Sequence, residues 1–369
     1  MIYFDYAASS PVYLAVLDAM DTFSRENYAN PSSLYTIGYL AKNLLHESRQ
    51  TLAQSIGAQS DEIVFTSGGT ESNNLAISGV LRASQQKKHC IVGCTEHQSV
   101  LAAARALERE GYTLNILSCD ENGVYSPDTL KRMIRPETAL VSLQVANHET
   151  GVIQPIEQIG SITRAMRVPL HCDAVAAYGH IPLDVRALKI DLLSASARKM
   201  GGPSGAGFLY VRNEIAILPL FFGGSQERGL RPGSENLPAI AGFAKALTCA
   251  KLPADSSVRD RLQALLLERY PSAQVNGGTV ARLPHILSIT LAGVASERLL
   301  PLLSAAGIYV SARAACAGGE REPSHVLVAM GLSATQAGET LRFSSGFGSK
   351  LSDADEALNA IDFAIQNHF

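Results

Sequence analysis

From about residue 60 to residue 211, short apolar runs alternate with stretches of helical spacing, and this alternation restricts the fold more than any other feature. Residues 63–66, 90–93, 114–117 and 139–143 read as buried strands, with helical stretches at 99–110 and 127–134 between them. The series continues at 169–172, 192–196 and 208–211. Strands that alternate with helices predict a mostly parallel sheet covered on both faces.

The pattern changes near residue 250. Residues 251–257 are polar, contain Pro253 and make a candidate hinge. Beyond it, 286–291 reads as a strand, 297–305 as a helix and 340–344 as a strand. The last helix is predicted to start at an N-cap on Ser352, with Asp355 three residues on and Leu358, Ile361 and Ile365 as its apolar stripe. A chain of 369 residues suits about two domains. The expectation is a large α/β domain over 15–255 and a smaller α+β domain made of 1–14 and 256–369.

The composition, 46% hydrophobic and 18% charged, is that of a soluble globular protein. A net charge of −3 gives no reason to expect direct nucleic-acid binding. The first residues carry no signal-peptide pattern, and no run approaches the ~20 apolar residues of a membrane helix. Six scattered cysteines argue for reduced thiols in a cytoplasm and against a disulfide scaffold. Cys90 and Cys94 lack a second ligand pair, so no metal site is expected.

Three segments carry chemistry. In Ser194-Ala195-Ser196-Ala197-Arg198-Lys199 a lysine follows a strand among small residues, where desolvation favours the free amine that forms a Schiff base. A snorkelling surface lysine is the competing reading. In Leu170-His171-Cys172-Asp173 a carboxylate ends an apolar strand, suited either to a pyridinium nitrogen or to a helix N-cap. In Thr66-Ser67-Gly68-Gly69-Thr70-Glu71-Ser72-Asn73-Asn74 a glycine turn opens a helix, which suits a phosphate monoester or a plain turn. It lacks the features of a Walker or dinucleotide loop.

Taken in order, these segments resemble fold-type I pyridoxal-phosphate enzymes, in particular the cysteine desulfurase family. The resemblance begins at Tyr3-Phe4-Asp5-Tyr6-Ala7-Ala8 and includes Asn30-Pro31-Ser32-Ser33, Thr95-Glu96-His97 and Glu149-Thr150-Gly151. It continues through Glu227-Arg228-Gly229-Leu230-Arg231-Pro232-Gly233-Ser234, Cys316, Glu322-Pro323-Ser324-His325 and Leu341-Arg342-Phe343-Ser344. It implies that Lys199 carries pyridoxal 5'-phosphate, Asp173 pairs with its ring nitrogen and His97 stacks on its face. It implies phosphate contacts from Gly69, Thr70 and Ser196, and from Ser234 of a second subunit, hence a homodimer with shared active sites. Asn30 and Arg342 are expected at the substrate, with Arg342 clamping its carboxylate. Cys316 is expected to take sulfur from L-cysteine as a persulfide, release alanine and pass the sulfur to an acceptor protein. Arg313 is suited to favour its thiolate. The other five cysteines read as inert packing groups.

Three positions depart from the family pattern. Ala176 stands where a glutamine is usual, His148 where an asparagine is usual and Arg198 where a histidine is usual. His148 is placed to replace the lost hydrogen bond, and Arg198 to contact the phosphate. A selenocysteine lyase or other β-elimination enzyme, and a weakly active scaffold, are the alternatives. The sulfur pathway leaves no readable motif.

Overall fold

The computed structural model describes residues 1–84, 86–312 and 323–369; Arg313 and Cys316 lie outside the described residues. In chain order the first part contains β1 (Ile2–Tyr3), α1 (Leu14–Glu26), α2 (Thr36–Gln54), β2 (Ile63–Thr66) and α3 (Gly69–Ala83). β3 (His89–Gly93), α4 (Gln98–Arg109), β4 (Thr113–Leu117), α5 (Pro127–Met133) and β5 (Thr138–Ser142) follow. Then come α6 (Ile156–Ala165), β6 (Leu170–Asp173), β7 (Leu192–Ser196), β8 (Gly207–Val211) and α7 (Leu237–Cys249).

These strands form a seven-stranded sheet in the order β2-β8-β7-β6-β5-β3-β4. The pairs from β7 through β4 are parallel, while β8 runs antiparallel to both β7 and β2. Two antiparallel steps restore direction, so β2 points the same way as β6 and β7. Side chains alternate between the faces: Phe65, Ile91 and Val141 enter one apolar cluster, and Val64, Val92 and Leu140 the other. Both clusters are buried under helices, which is why these strands read as continuous apolar runs.

The remainder contains α8 (Ser257–Arg269), β9 (Gln274–Val275), β10 (Ile286–Thr290), α9 (Ser296–Ala305), β11 (Ile308–Tyr309), α10 (His325–Ala329), α11 (Ala334–Gly338), β12 (Thr340–Ser344) and α12 (Leu351–His368). A three-stranded sheet, β12-β10-β9, buries Leu287, Ile289, Leu341 and Phe343 with Leu262, Leu266 and Ile361 of the covering helices. Ile2 and Phe4 join this second cluster, and β1 pairs with β11. The start of α12 corrects the sequence reading. Its N-cap is Lys350, whose backbone N–H donates to Asp353 at 2.8 Å, while Asp355 instead pairs with Arg261 at 2.6 Å. Asp353 is as good an acceptor as Asp355, and it sits in the first turn. No described helix is long and apolar enough to cross a membrane.

Candidate active site

Four strand ends meet on one side of the large sheet, where open α/β sheets bind ligands. At the end of β2, Gly68 has φ 149°, a conformation open to glycine, and turns the chain into α3. A side chain at Gly207 would put its Cβ 2.6 Å from Gly68 Cα, and one at Gly69 would meet Val175 at 2.4 Å. Bare backbone therefore forms this turn, with the positive end of a 15-residue helix behind it. Glu71 steadies it, accepting from Ser67 N at 2.7 Å and from Arg231 Nε at 3.1 Å.

At the end of β6, Asp173 accepts from Val175 N at 2.9 Å and from Asn73 Nδ2 at 2.8 Å. The same Asn73 amide donates to Ser99 Oγ at 2.9 Å, and Ser99 Oγ lies 2.8 Å from His97 Nδ1. Ser99 N also donates to His97 Nδ1 at 3.1 Å. That nitrogen is thus an acceptor, and the neutral ring carries its proton on Nε2. Burial pushes the His97 pKa below the usual imidazole range; Asp173 opposes the shift, and Lys199 and His325 add to it.

Beside His97, Glu96 is fully buried and accepts from Gln144 N at 2.8 Å and Tyr125 Oη at 3.0 Å. Burial pushes its pKa well above the usual carboxylate range. One level below Asp173, His171 links Ser142 at 2.7 Å to Ser194 at 2.9 Å across three strands.

Lys199 ends a single 3₁₀ turn, Ala197–Lys199, directly after β7. The adjacent Arg198 is exposed and donates from Nη2 to Ala8 O at 2.7 Å, so its guanidinium ties down the N-terminal segment. Across the cavity Arg342 on β12 is 3% exposed, donating to Asp5 Oδ1 at 2.7 Å and to His148 O at 3.0 Å. Among the described residues its Nε is buried without a partner, a donor for an incoming anion. The His148 ring lies edge-on to His97, with centroids 5.2 Å apart. Burial first, and then the proximity of His97, Lys199 and Arg342, hold the His148 pKa well below the usual range.

A cavity of about 250 Å³ brings together Gly69, Thr70, His97, His148, Asp173, Ser196, Arg198, Lys199 and Arg342. Ala176 also lines it. Asn30 and Ser234 do not: both are exposed, and Asn30 Oδ1 accepts from Ser32 N at 2.9 Å in a local turn. Cys316 lies outside the described residues. Sequence reasoning missed Asn73, Ser99 and Gln144 as lining groups. Asn73 sits one helical turn beyond Gly69 and so faces the same way, a signal that was available.

Cys94, read as inert, follows β3 beside Cys119, and that neighbour lowers its pKa to about 7. Neither is fully buried, and Cys119 Sγ also contacts Ala329 O at 3.4 Å. Among the described residues, no three His, Cys, Asp or Glu side chains are grouped to hold a metal ion.

Residues 2–356 match the family model of class-V aminotransferases. The cysteine desulfurase IscS of Methanosarcina thermophila is 41% identical, over 99% of this chain and 92% of its own. The chain belongs to the cysteine desulfurase family. Among solved structures, a NifS-like protein superposes with a TM-score of 0.92 at 33% identity, covering 99% of both chains. The structure titled SspA in complex with cysteine matches with a TM-score of 0.85 at 35% identity, over 93% of this chain and 98% of that one. As a cysteine desulfurase family enzyme, the protein has its strand ends and cavity in the α/β frame of these relatives.

Proposed function

We propose that the protein is a pyridoxal-phosphate-dependent desulfurase that converts L-cysteine to L-alanine, with Lys199 carrying the cofactor and Cys316 receiving sulfur as a persulfide. One observation carries this reading: Asp173, Lys199, His97, Arg342 and the bare-backbone turn at Gly68–Gly69 line a single cavity. The donor set suits the cofactor. A glycine turn at a helix N-terminus with Thr70 and Ser196 suits a phosphate, and a carboxylate across the cavity suits a pyridinium nitrogen. When bound, the cofactor supplies an electron sink for the substrate Cα.

The chain's own groups do the rest. Asn73 and Val175 N hold the Asp173 carboxylate in place. The Lys199 amine takes and returns the Cα proton. His97, with its proton on Nε2, is set to exchange it with the substrate sulfur. Arg342 offers Nε to the substrate carboxylate and keeps its other nitrogens on Asp5 and His148 O. The Cys316 thiolate then attacks the substrate sulfur; the C–S bond breaks with its electron pair going to Cβ, which takes up the proton lost from the substrate thiol to become the methyl group of alanine, and the sulfur remains on the enzyme as a persulfide for an acceptor protein.

The neutral His148 beside His97 can donate one hydrogen bond in place of the amide that Ala176 lacks. Arg198 lines the cavity but spends one nitrogen on Ala8 O, so a phosphate role would fall to its remaining nitrogens.

Ser234 and Asn30 stand outside the cavity of their own subunit, which supports a homodimer in which they serve the other one. The exposed apolar side chains Tyr28, Leu34, Tyr35, Phe221 and Phe222 are the natural contact surface for it. The unpaired thiols of Cys90, Cys94, Cys119, Cys172 and Cys249 support a cytoplasmic setting. The second apolar cluster, which includes Ile2 and Phe4, supports a small domain of 1–14 with 256–369 beside a large one of 15–255.

Borohydride reduction of the purified yellow protein, followed by peptide mass analysis, tests the reading. The expected result is a pyridoxyl adduct on Lys199 and, after cysteine treatment without reduction, an added sulfur on Cys316. An adduct on another lysine, or none, overturns it.

A further inference from the structure

Two imidazoles that belong to none of the family-like motifs, a half-buried His180 and a buried His285, sit behind the cofactor turn. His180 and His285 stack with ring centroids 3.7 Å apart and planes 23° from parallel. His180 Nε2 lies 3.0 Å from the Lys199 carbonyl oxygen. A carbonyl only accepts, so His180 carries a proton on Nε2. The His180 carbonyl in turn accepts from Ala254 N at 2.9 Å, within the segment that leads out of the large sheet region.

His285 immediately precedes β10, and its carbonyl accepts from Ser345 N at 3.0 Å, one residue past β12. β10 and β12 are paired so that Ser288 faces Arg342. The stack therefore has one ring bonded to the lysine turn and the other fastened to the sheet that presents Arg342.

We propose that His180 and His285 are positioning residues for desulfuration: their stack holds the Lys199 turn in register with the sheet bearing Arg342. The role of Lys199 assumed here rests on the function proposed above.

A three-residue 3₁₀ turn is weak on its own and ends in carbonyls that need donors. His180 supplies one of them. The stack works only if both rings stay neutral, because two parallel cations at this spacing would repel. The surroundings enforce this. Burial lowers the His180 pKa to about 4 and holds His285 well below the usual imidazole range. Among the described residues, the charged groups that act on the pair are Lys199, Arg259 and Arg342, and no carboxylate is among them. The buried Nδ1 of His285 has no hydrogen-bond partner among the described residues, which a neutral ring tolerates far better than a charged one.

Hydrogen exchange on the holoenzyme tests the proposal independently of Lys199 chemistry. In His180→Leu the peptide covering 197–203 should exchange about fivefold faster, the effect of one lost hydrogen bond on local opening. His180→Gln, whose amide nitrogen reaches the same carbonyl, should restore the wild-type rate. His285→Leu, which removes the stack but not the hydrogen bond, should raise KM for cysteine more than it lowers kcat. Wild-type exchange in His180→Leu overturns the proposal. If that variant does not fold, unchanged exchange and KM in His285→Leu do so instead. Absence of the Lys199 adduct in the wild type would remove the assumed lysine role and leave the exchange result to judge the pair.

Discussion

Asn73 and Asp173, 100 positions apart in the chain, are joined by a hydrogen bond of 2.8 Å. The same amide group reaches Ser99, and through it His97, so one asparagine orients both the carboxylate and the imidazole of the cavity. Asn73→Ala is expected to lower kcat/KM for alanine formation about tenfold, the value of one charge-assisted hydrogen bond. An unchanged kcat/KM would show that Asp173 and His97 are held without it.

Arg342 and Asp5 form a pair that is nearly closed to solvent on the arginine side, with side-chain exposures of 3% and 19%. Removing one partner strands a buried charge. Asp5→Ala should therefore destabilise the fold by about 3 kcal/mol, read from chemical denaturation. Asp5→Asn, which still accepts a hydrogen bond, should recover much of that loss. Equal stability of all three proteins would mean that the ion pair carries no weight.

The Cys94 thiol should titrate near neutrality. Its pKa of about 7 comes first from the Cys119 hydrogen bond, working against burial. Iodoacetamide at pH 7.5 should label Cys94 well before Cys90, whose thiol burial pushes up to about 12. Cys119→Ala should move the midpoint of Cys94 labelling upward in pH. Labelling that follows accessibility alone, with the midpoint fixed, would contradict this.

His171 gives the fold an acid sensitivity. Burial lowers its pKa to about 4, so the folded ring stays neutral while an unfolded one takes up a proton below about pH 6.5. Its contribution to stability is therefore intact above that pH and lost progressively as pH falls towards 4. At pH 5 the loss from this one group is about 2 kcal/mol. Denaturation midpoints at pH 8 and pH 5 should differ accordingly, and His171→Gln should shrink the difference. An identical pH slope in the variant would exclude His171 as its source.

The shared-site reading has its own test in mixed subunits. Lys199→Ala and Ser234→Ala proteins, unfolded together and refolded, should regain activity that neither has alone. A mixed dimer contains one site with an intact lysine and an intact serine from opposite chains. Activity no greater than the sum of the two parents would place Ser234 outside the partner's site.

The large sheet was legible because its strands are buried on both faces and their apolar runs are continuous, as in β5 and β7. The cavity was legible where chemistry coincides with a strand end, as at Asp173 and Lys199. α1 and α2 were not, because much of their apolar surface points outward, at Leu14 and Leu17 in α1 and at Ile37, Tyr39 and Leu40 in α2, and blurs the helical stripe. The spacing of Asn73 from Gly69 could have placed it at the cavity, but its bonds to Asp173 and Ser99 join segments distant in the chain, which spacing cannot encode. The His180–His285 stack was invisible for the same reason. Ser352 and Lys350 differ as caps by a choice between two nearby acidic acceptors that local sequence leaves even.

The Phe4 carbonyl meets the Ser344 side chain, and the Asp5 side chain meets Arg342, across sequence separations of 340 and 337. Contacts that distant form late, because loop closure has to precede them. During synthesis the substrate-facing arginine cannot reach its aspartate until β12 has left the ribosome. The glycine turn and Asp173 can be in place long before. The nascent enzyme should then acquire the ability to hold a phosphate well before the ability to recognise an amino acid.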